Sequence, residues 1–262
     1  MNTLAHALRQ RRCAFVPFIT AGDPTLSATD KFFPALADAG ADIIELGVPF
    51  SDPVADGPVI QAADERALLK GATLEKILAL ASRLRRRGQN VPIILFTYLN
   101  PVLKFGFEKF AARCASSGIN GALIVDLPAE DCLPLSRALE AKKVELVLLA
   151  SPTTSDARLR LIGRRSGSIV YYVSREGVTG VHAGLAVGLK RRLKKVRALT
   201  GKPLIVGFGV ARREQAQALA KHCAGVVVGS ALVAEIARAR NVKEAASRLK
   251  KISREIVAGL RA

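Results

Sequence analysis

The residues best placed to do chemistry lie between Glu45 and Pro58, in the stretch ELGVPFSDPVADGP. Three carboxylates, Glu45, Asp52 and Asp56, sit there beside apolar residues. A carboxyl group in apolar surroundings has its pKa raised, which suits it to acid–base catalysis near neutral pH. The competing reading is structural: an ion pair for Glu45, and Asx turns beside proline and glycine for the two aspartates. Pro49, Pro53 and Pro58 fix φ, while Gly47 and Gly57 open further backbone conformations. The loop is therefore expected to be shaped rather than floppy.

Such a loop needs an element to carry it. Asp42–Leu46 reads as a short buried strand, which places Glu45 at its C-terminal end. Seven more apolar runs recur along the chain: Ala14–Thr20, Val91–Tyr98, Gly121–Val125, Val144–Leu149, Ile169–Val173, Pro203–Val206 and Gly225–Val228. Helical patterns follow each run, among them Ala28–Ala39 with Ser27 as its cap, Ala62–Lys70, Glu130–Ala141 and Lys243–Leu260. Alternating strands and helices imply a parallel sheet. Eight such units in 262 residues imply a (β/α)8 TIM barrel, here with an additional N-terminal helix, as a single domain over residues 1–262. An open doubly wound sheet is the alternative. Its dinucleotide site would need GxGxxG after the first strand, where the chain reads Ala21-Gly22-Asp23-Pro24.

In a barrel, chemistry sits at the C-terminal ends of the strands. Glu45, Tyr98, Asp126, Tyr171, the Gly177–Gly180 loop, Gly209 and Gly229 all fall there. Gly207-Phe208-Gly209 and Gly229-Ser230 end the last two strands. Barrels commonly bind phosphate at that place, on backbone N–H groups at helix N-termini. The same glycines could also do no more than terminate strands. Asp126 could equally cap a turn.

Composition narrows the function. The net charge is +18, but basic runs are spread over many helices with almost no aromatic residues between them, which fits solvated faces better than one nucleic-acid groove. The four cysteines form no CxxC pair and no cluster with histidine, so zinc ligation is not expected and reduced thiols are. No apolar run reaches the length of a membrane span, and the N-terminus lacks a secretory pattern. A cytoplasmic location is the expectation.

The stretch ELGVPFSDPVADGP, together with SREGVTG (Ser174–Gly180), VGFGV (Val206–Val210), VVVGSALV (Val226–Val233), FVPFITAGDP (Phe15–Pro24) and TYLNPVLKFG (Thr97–Gly106), resembles the α subunit of tryptophan synthase. The resemblance runs from the first strand to the end of the chain. It implies a carbon–carbon lyase that splits indole-3-glycerol phosphate into indole and glyceraldehyde 3-phosphate, with no metal or organic cofactor in this chain. Glu45 matches the family's catalytic glutamate, and Asp56 the aspartate that holds the indole N–H. Tyr171 falls on a substrate-contacting tyrosine, and Phe18 and Tyr98 on the lining of the indole pocket, although ordinary barrel packing would also account for both. Thr179 falls in a mobile loop. Gly180, Gly209, Gly229 and Ser230 fall on phosphate-binding positions. The partner implied is a β subunit that holds pyridoxal phosphate in an αββα heterotetramer, with Asp52 and Asn100-Pro101 on the docking side. A stand-alone lyase and a non-catalytic barrel that activates its partner are the alternatives. The chain departs from the resemblance after Gly180, where Val181-His182-Ala183-Gly184 replaces more polar residues.

Overall fold

A computed structural model describes residues 3–173, 183–207 and 209–262. Eight parallel strands close into a barrel in sequence order. They are β1 (Ala14–Thr20), β2 (Ile44–Gly47), β3 (Ile93–Thr97), β4 (Gly121–Ile124), β5 (Glu145–Ala150), β6 (Val170–Val173), β7 (Leu204–Gly207) and β8 (Gly225–Val228). The helices are α1 (Leu4–Arg9), α2 (Leu26–Asp38), α3 (Pro58–Leu69), α4 (Leu74–Arg86), α5 (Leu99–Phe105), α6 (Phe107–Ser116), α7 (Leu133–Glu140), α8 (Asp156–Arg165), α9 (Ala183–Thr200), α10 (Arg213–Ala220), α11 (Ser230–Arg238) and α12 (Val242–Leu260). The expected barrel with an extra N-terminal helix is what the chain forms.

The alternation of strand side chains sorts the core into two parts. Phe15, Ile19, Ile44, Leu46 and Leu95 point outward into the shell between strands and helices. Val16, Phe18, Ile94, Leu123, Val147, Tyr171, Ile205 and Val227 point inward. Because Ile44 and Leu46 face outward, Glu45 between them faces into the barrel. The first helix closes the N-terminal end. Its Leu4 and Leu8 are buried with the inward-facing set. Gly121 leaves room for that approach: a Cβ on it would lie 2.8 Å from Leu4 Cδ1 and 3.3 Å from the Glu145 carbonyl oxygen.

Two local readings need correction, the cap of α2 and the start of α7, and one segment is filled in. The cap of α2 is Thr25, whose hydroxyl accepts the Ala28 N–H at 3.1 Å; Ser27 lies inside the helix. Asn100-Pro101, which the sequence places after the third strand, lies in α5. Pro101 fits the first turn because no backbone donor is needed there, and Gly106, at φ 85°, ends the helix. The helix expected from Glu130 starts at Leu133, and Pro134 sits in its first turn.

Candidate functional site

Glu45 is fully buried on β2, beside Phe18 in the register between β1 and β2. Among the described residues, neither of its carboxyl oxygens has a hydrogen-bond partner. With no donor or cation to stabilise the charge, burial pushes its pKa up to about 8. At pH 7 the group is therefore mostly protonated. A buried carboxyl without partners is costly to stability.

Asp56 is held from the opposite direction. Tyr98, the cap residue before α5, donates its hydroxyl to Asp56 Oδ2 at 2.7 Å. The same hydroxyl accepts the Ala55 N–H at 3.1 Å. Phe50 stacks on the Tyr98 ring, with centroids 4.9 Å apart. Burial raises the Asp56 pKa, and the Tyr98 hydrogen bond works against that rise. The two carboxyls thus differ in kind: Glu45 is bare, whereas Asp56 is bonded by a neighbour. Tyr171 lies between their fields, its phenol pushed well up by burial and then by the charges of Glu45 and Asp56.

Glycines make room for the aromatic walls. A Cβ on Gly47 would lie 2.5 Å from the Phe18 ring, and a Cβ on Gly207 would lie 2.6 Å from the Tyr171 hydroxyl. Phe18 meets Phe96 edge-on at 5.2 Å, and its other side lies near Gly229. Gly229 is the cap of α11, whose first residue, Ser230, is exposed. Gly209 follows β7 with φ 65° and open space where a Cβ would stand. The first turn of a helix carries N–H groups with no partner inside the helix, and these suit an anion.

The structure therefore gathers Glu45, Asp56, Phe18, Tyr98 and Tyr171 around one mouth, with Gly209, Gly229 and Ser230 following β7 and β8. Thr179, Gly180 and His182 lie outside the described residues. Asp126 accepts the Leu99 N–H at 2.7 Å and so caps α5. Asp52 is exposed and bonded to Ser51 at 2.6 Å.

Sequence reasoning missed Asp64. This residue of α3 is buried, and its pKa is pushed up to about 7, first by burial and next by the charge of Asp56. One signal could have found it. Ile60, Ala63, Asp64 and Ala67 fall at i, i+3, i+4 and i+7, so a carboxylate occupies the apolar stripe of its helix. Among the described residues no group of three or more His, Cys, Asp or Glu could hold a metal ion. No helix among them is long and apolar enough to cross a membrane.

Fold and site together define a (β/α)8 barrel with a pair of unlike carboxyls, one buried and one half-buried, at its C-terminal mouth and glycines after the last two strands. Comparison with known proteins makes this more specific. The profile of the tryptophan synthase alpha chain family matches residues 4–260, and the chain belongs to that family. The tryptophan synthase alpha chain of Caulobacter vibrioides is 48% identical over 235 residues, covering 90% of this chain and 86% of that one. That of Geobacter sulfurreducens is 46% identical over 232 residues, covering 88% of each. The crystal structure of tryptophan synthase subunit alpha from Legionella pneumophila superposes with a TM-score of 0.91 at 34% identity, covering 99% of this chain and 98% of that chain. A chain of the tryptophan synthase α2β2 complex of Pyrococcus furiosus gives 0.83 at 36% identity, covering 94% and 97%.

Proposed function

We propose that this chain cleaves indole-3-glycerol phosphate by a retro-aldol step in which Glu45 carries the proton. The observation that supports this most directly is the bare, buried carboxyl of Glu45, protonated at neutral pH beside the aromatic wall of Phe18. Glu45 gives its proton to indole C3. The resulting cation is delocalised onto the ring N–H, and Asp56, steadied by Tyr98, accepts that N–H and balances the charge. The bond from C3 to the side-chain carbon then breaks, and its electron pair returns to the indole ring. The hydroxyl on that carbon loses its proton to the Glu45 carboxylate and becomes the aldehyde. Glu45 ends protonated, so one group serves both transfers and the cycle closes without a cofactor in this chain.

Phe18, Tyr98 and Tyr171 wall the indole, and Gly209, Gly229 and Ser230 hold the phosphate at the start of α11. Thr179 and Gly180 belong to the same site by resemblance. Asp52 does no chemistry in this scheme; its place is in the loop that meets a partner.

That partner is a pyridoxal-phosphate β subunit in an αββα assembly. A groove of about 990 Å³ runs between the loop from Phe50 to Val54 and the outer side of α3. Its rim carries Val54 and Leu69, which are 76% and 78% exposed, and Leu103 on α5 adds another exposed apolar side chain. Large apolar residues left in water around a groove beside the site mark an interaction surface. It adjoins the loop that carries Asp56, so docking there would act on the site directly.

The test is indole release from indole-3-glycerol phosphate by the purified chain, with and without a β subunit. Slow release that rises at least tenfold with the β subunit supports the α-subunit reading. Fast release indifferent to the partner replaces it with a stand-alone lyase. Absence of indole under both conditions removes the catalytic assignment.

A further inference from the structure

We propose that Asp64 is a positioning residue for Asp56, acting through the first residues of the loop between β2 and α3. The proposal rests on the reading of Asp56 as the group that meets the indole N–H.

The argument begins with what Asp64 touches. Its Oδ1 accepts, at 3.4 Å, from the hydroxyl of Thr20 at the end of β1, and the backbone N–H of Phe50 faces the same carboxyl closely enough to draw its pKa down. It therefore ties three elements together: α3, the last residue of β1 and the start of the loop. From Phe50 the connection continues by contact. The Phe50 ring stacks on Tyr98, and the Tyr98 hydroxyl fixes both Ala55 and Asp56. The far end of the loop is anchored separately, by Gln61 of α3, whose side-chain amide donates to the Asp56 carbonyl at 2.9 Å. The helix thus grips the loop at both ends, and Asp64 is the grip at the Phe50 end.

Charge decides the state in which this works. The ionisable groups whose charges act most strongly on Asp64 are Asp56 from the loop and Asp23 from the turn after β1. Tyr98 stands behind Asp56 and also feels the charge of Asp64. The nearby cation, Arg66, is spent on Asp23, which it grips with two hydrogen bonds of 2.8 Å each. Asp64 is buried among like charges, so its neutral form is the stable one, with a pKa near 7. A neutral carboxyl still accepts from Phe50 and Thr20 through its carbonyl oxygen and does not repel Asp56. Ionisation firms the contacts to Thr20 and Phe50 but adds the repulsion from Asp56, the larger of these effects, and so loosens the grip as pH rises through 7. Titration at this place belongs to Asp64 and Asp56 as a pair.

The experiment combines hydrogen exchange of the Phe50–Asp56 amides, from pH 6 to 8, with indole release by the same samples. Asp64→Ala should speed exchange of these amides at least tenfold and lower kcat at least tenfold. Asp64→Asn keeps the acceptor and cannot ionise. It should exchange like the unaltered chain at pH 6, keep kcat within about threefold there, and lose the extra acceleration above pH 7. Unchanged exchange in Asp64→Ala would overturn the proposal. If that variant does not fold, Asp64→Asn decides, and persistence of the acceleration above pH 7 overturns it. The exchange readout stands whether or not indole is released, so failure of the positioning role and failure of the lyase reading are separate results.

Discussion

The two ends of the barrel are built on opposite rules. At the N-terminal end α1 lays Leu4 and Leu8 against the inward-facing strand residues, and Gly121 lets Leu4 approach. Inside the barrel the packing there is apolar. At the C-terminal end the Glu45 carboxyl has no hydrogen-bond partner among the described residues, Asp56 and Asp64 gather nearby, and Gly47 and Gly207 thin the wall. Every one of those choices works against stability. The chain closes the barrel interior with apolar side chains at one end, so the acids it leaves inside at the other reflect what must bind and react there. Stability lives at one end of the barrel and function at the other.

Substitutions can sharpen or break this contrast. The largest effect is expected at Glu45. Glu45→Gln should reduce indole release by about a thousandfold or more, the scale of a lost acid–base group. It should also raise the melting temperature. The sign follows from the shift: the folded chain holds a proton on Glu45 up to about pH 8, whereas the unfolded chain releases it near 4.5. Stability contributed relative to the ionised state is full below the lower value and is lost as pH rises through that window. The gain from glutamine should therefore grow between pH 5 and 8, as calorimetry would read. A drop in both activity and stability at pH 8 would contradict the contrast.

Asp56→Asn ranks next, with a loss of about a hundredfold in kcat and little change in folding, since asparagine still accepts from Tyr98. Leu4→Ala tests the other end. It should cost about 2–4 kcal/mol in denaturant unfolding while leaving kcat within twofold. A large loss of activity there at temperatures where the protein is folded would show that the two ends are not independent. Ser230→Ala should have the smallest effect, a rise in KM of about threefold to tenfold with kcat unchanged, one hydroxyl being removed from several backbone donors.

The sequence made much of this architecture readable, for identifiable reasons. Each of the eight strands is buried on both faces and so reads as an apolar run, and a glycine or turn signal closes most of them. Glu45 stood out because an acid broke an apolar strand. Asp64 did not, because ADERALL looks like the start of an ordinary solvated helix until the stripe through Ile60, Ala63 and Ala67 is traced. The α2 cap was misplaced by two residues because Thr25 and Ser27 are both good caps, and only geometry shows which hydroxyl meets the Ala28 N–H. The start of α5 was hidden for another reason. Its exposed N–H at Leu99 is met by Asp126, a residue 27 positions along the chain, and no local pattern reveals such a partner. Short-range rules carried the elements, and long-range contacts carried the details of the site.

The most direct test of the central claim is the pH dependence of kcat/KM for indole release in an Asp64→Asn background, where Asp64 cannot titrate, read with Glu45 intact and with Glu45→Gln. A protonated Glu45 with a pKa near 8 predicts activity that holds through neutral pH and falls tenfold per unit above about pH 8, with no such limb in the residual activity of the Glu45→Gln form. A rate that keeps rising beyond pH 9, or a Glu45→Gln form that keeps the same alkaline limb, would contradict the assignment of the proton to Glu45.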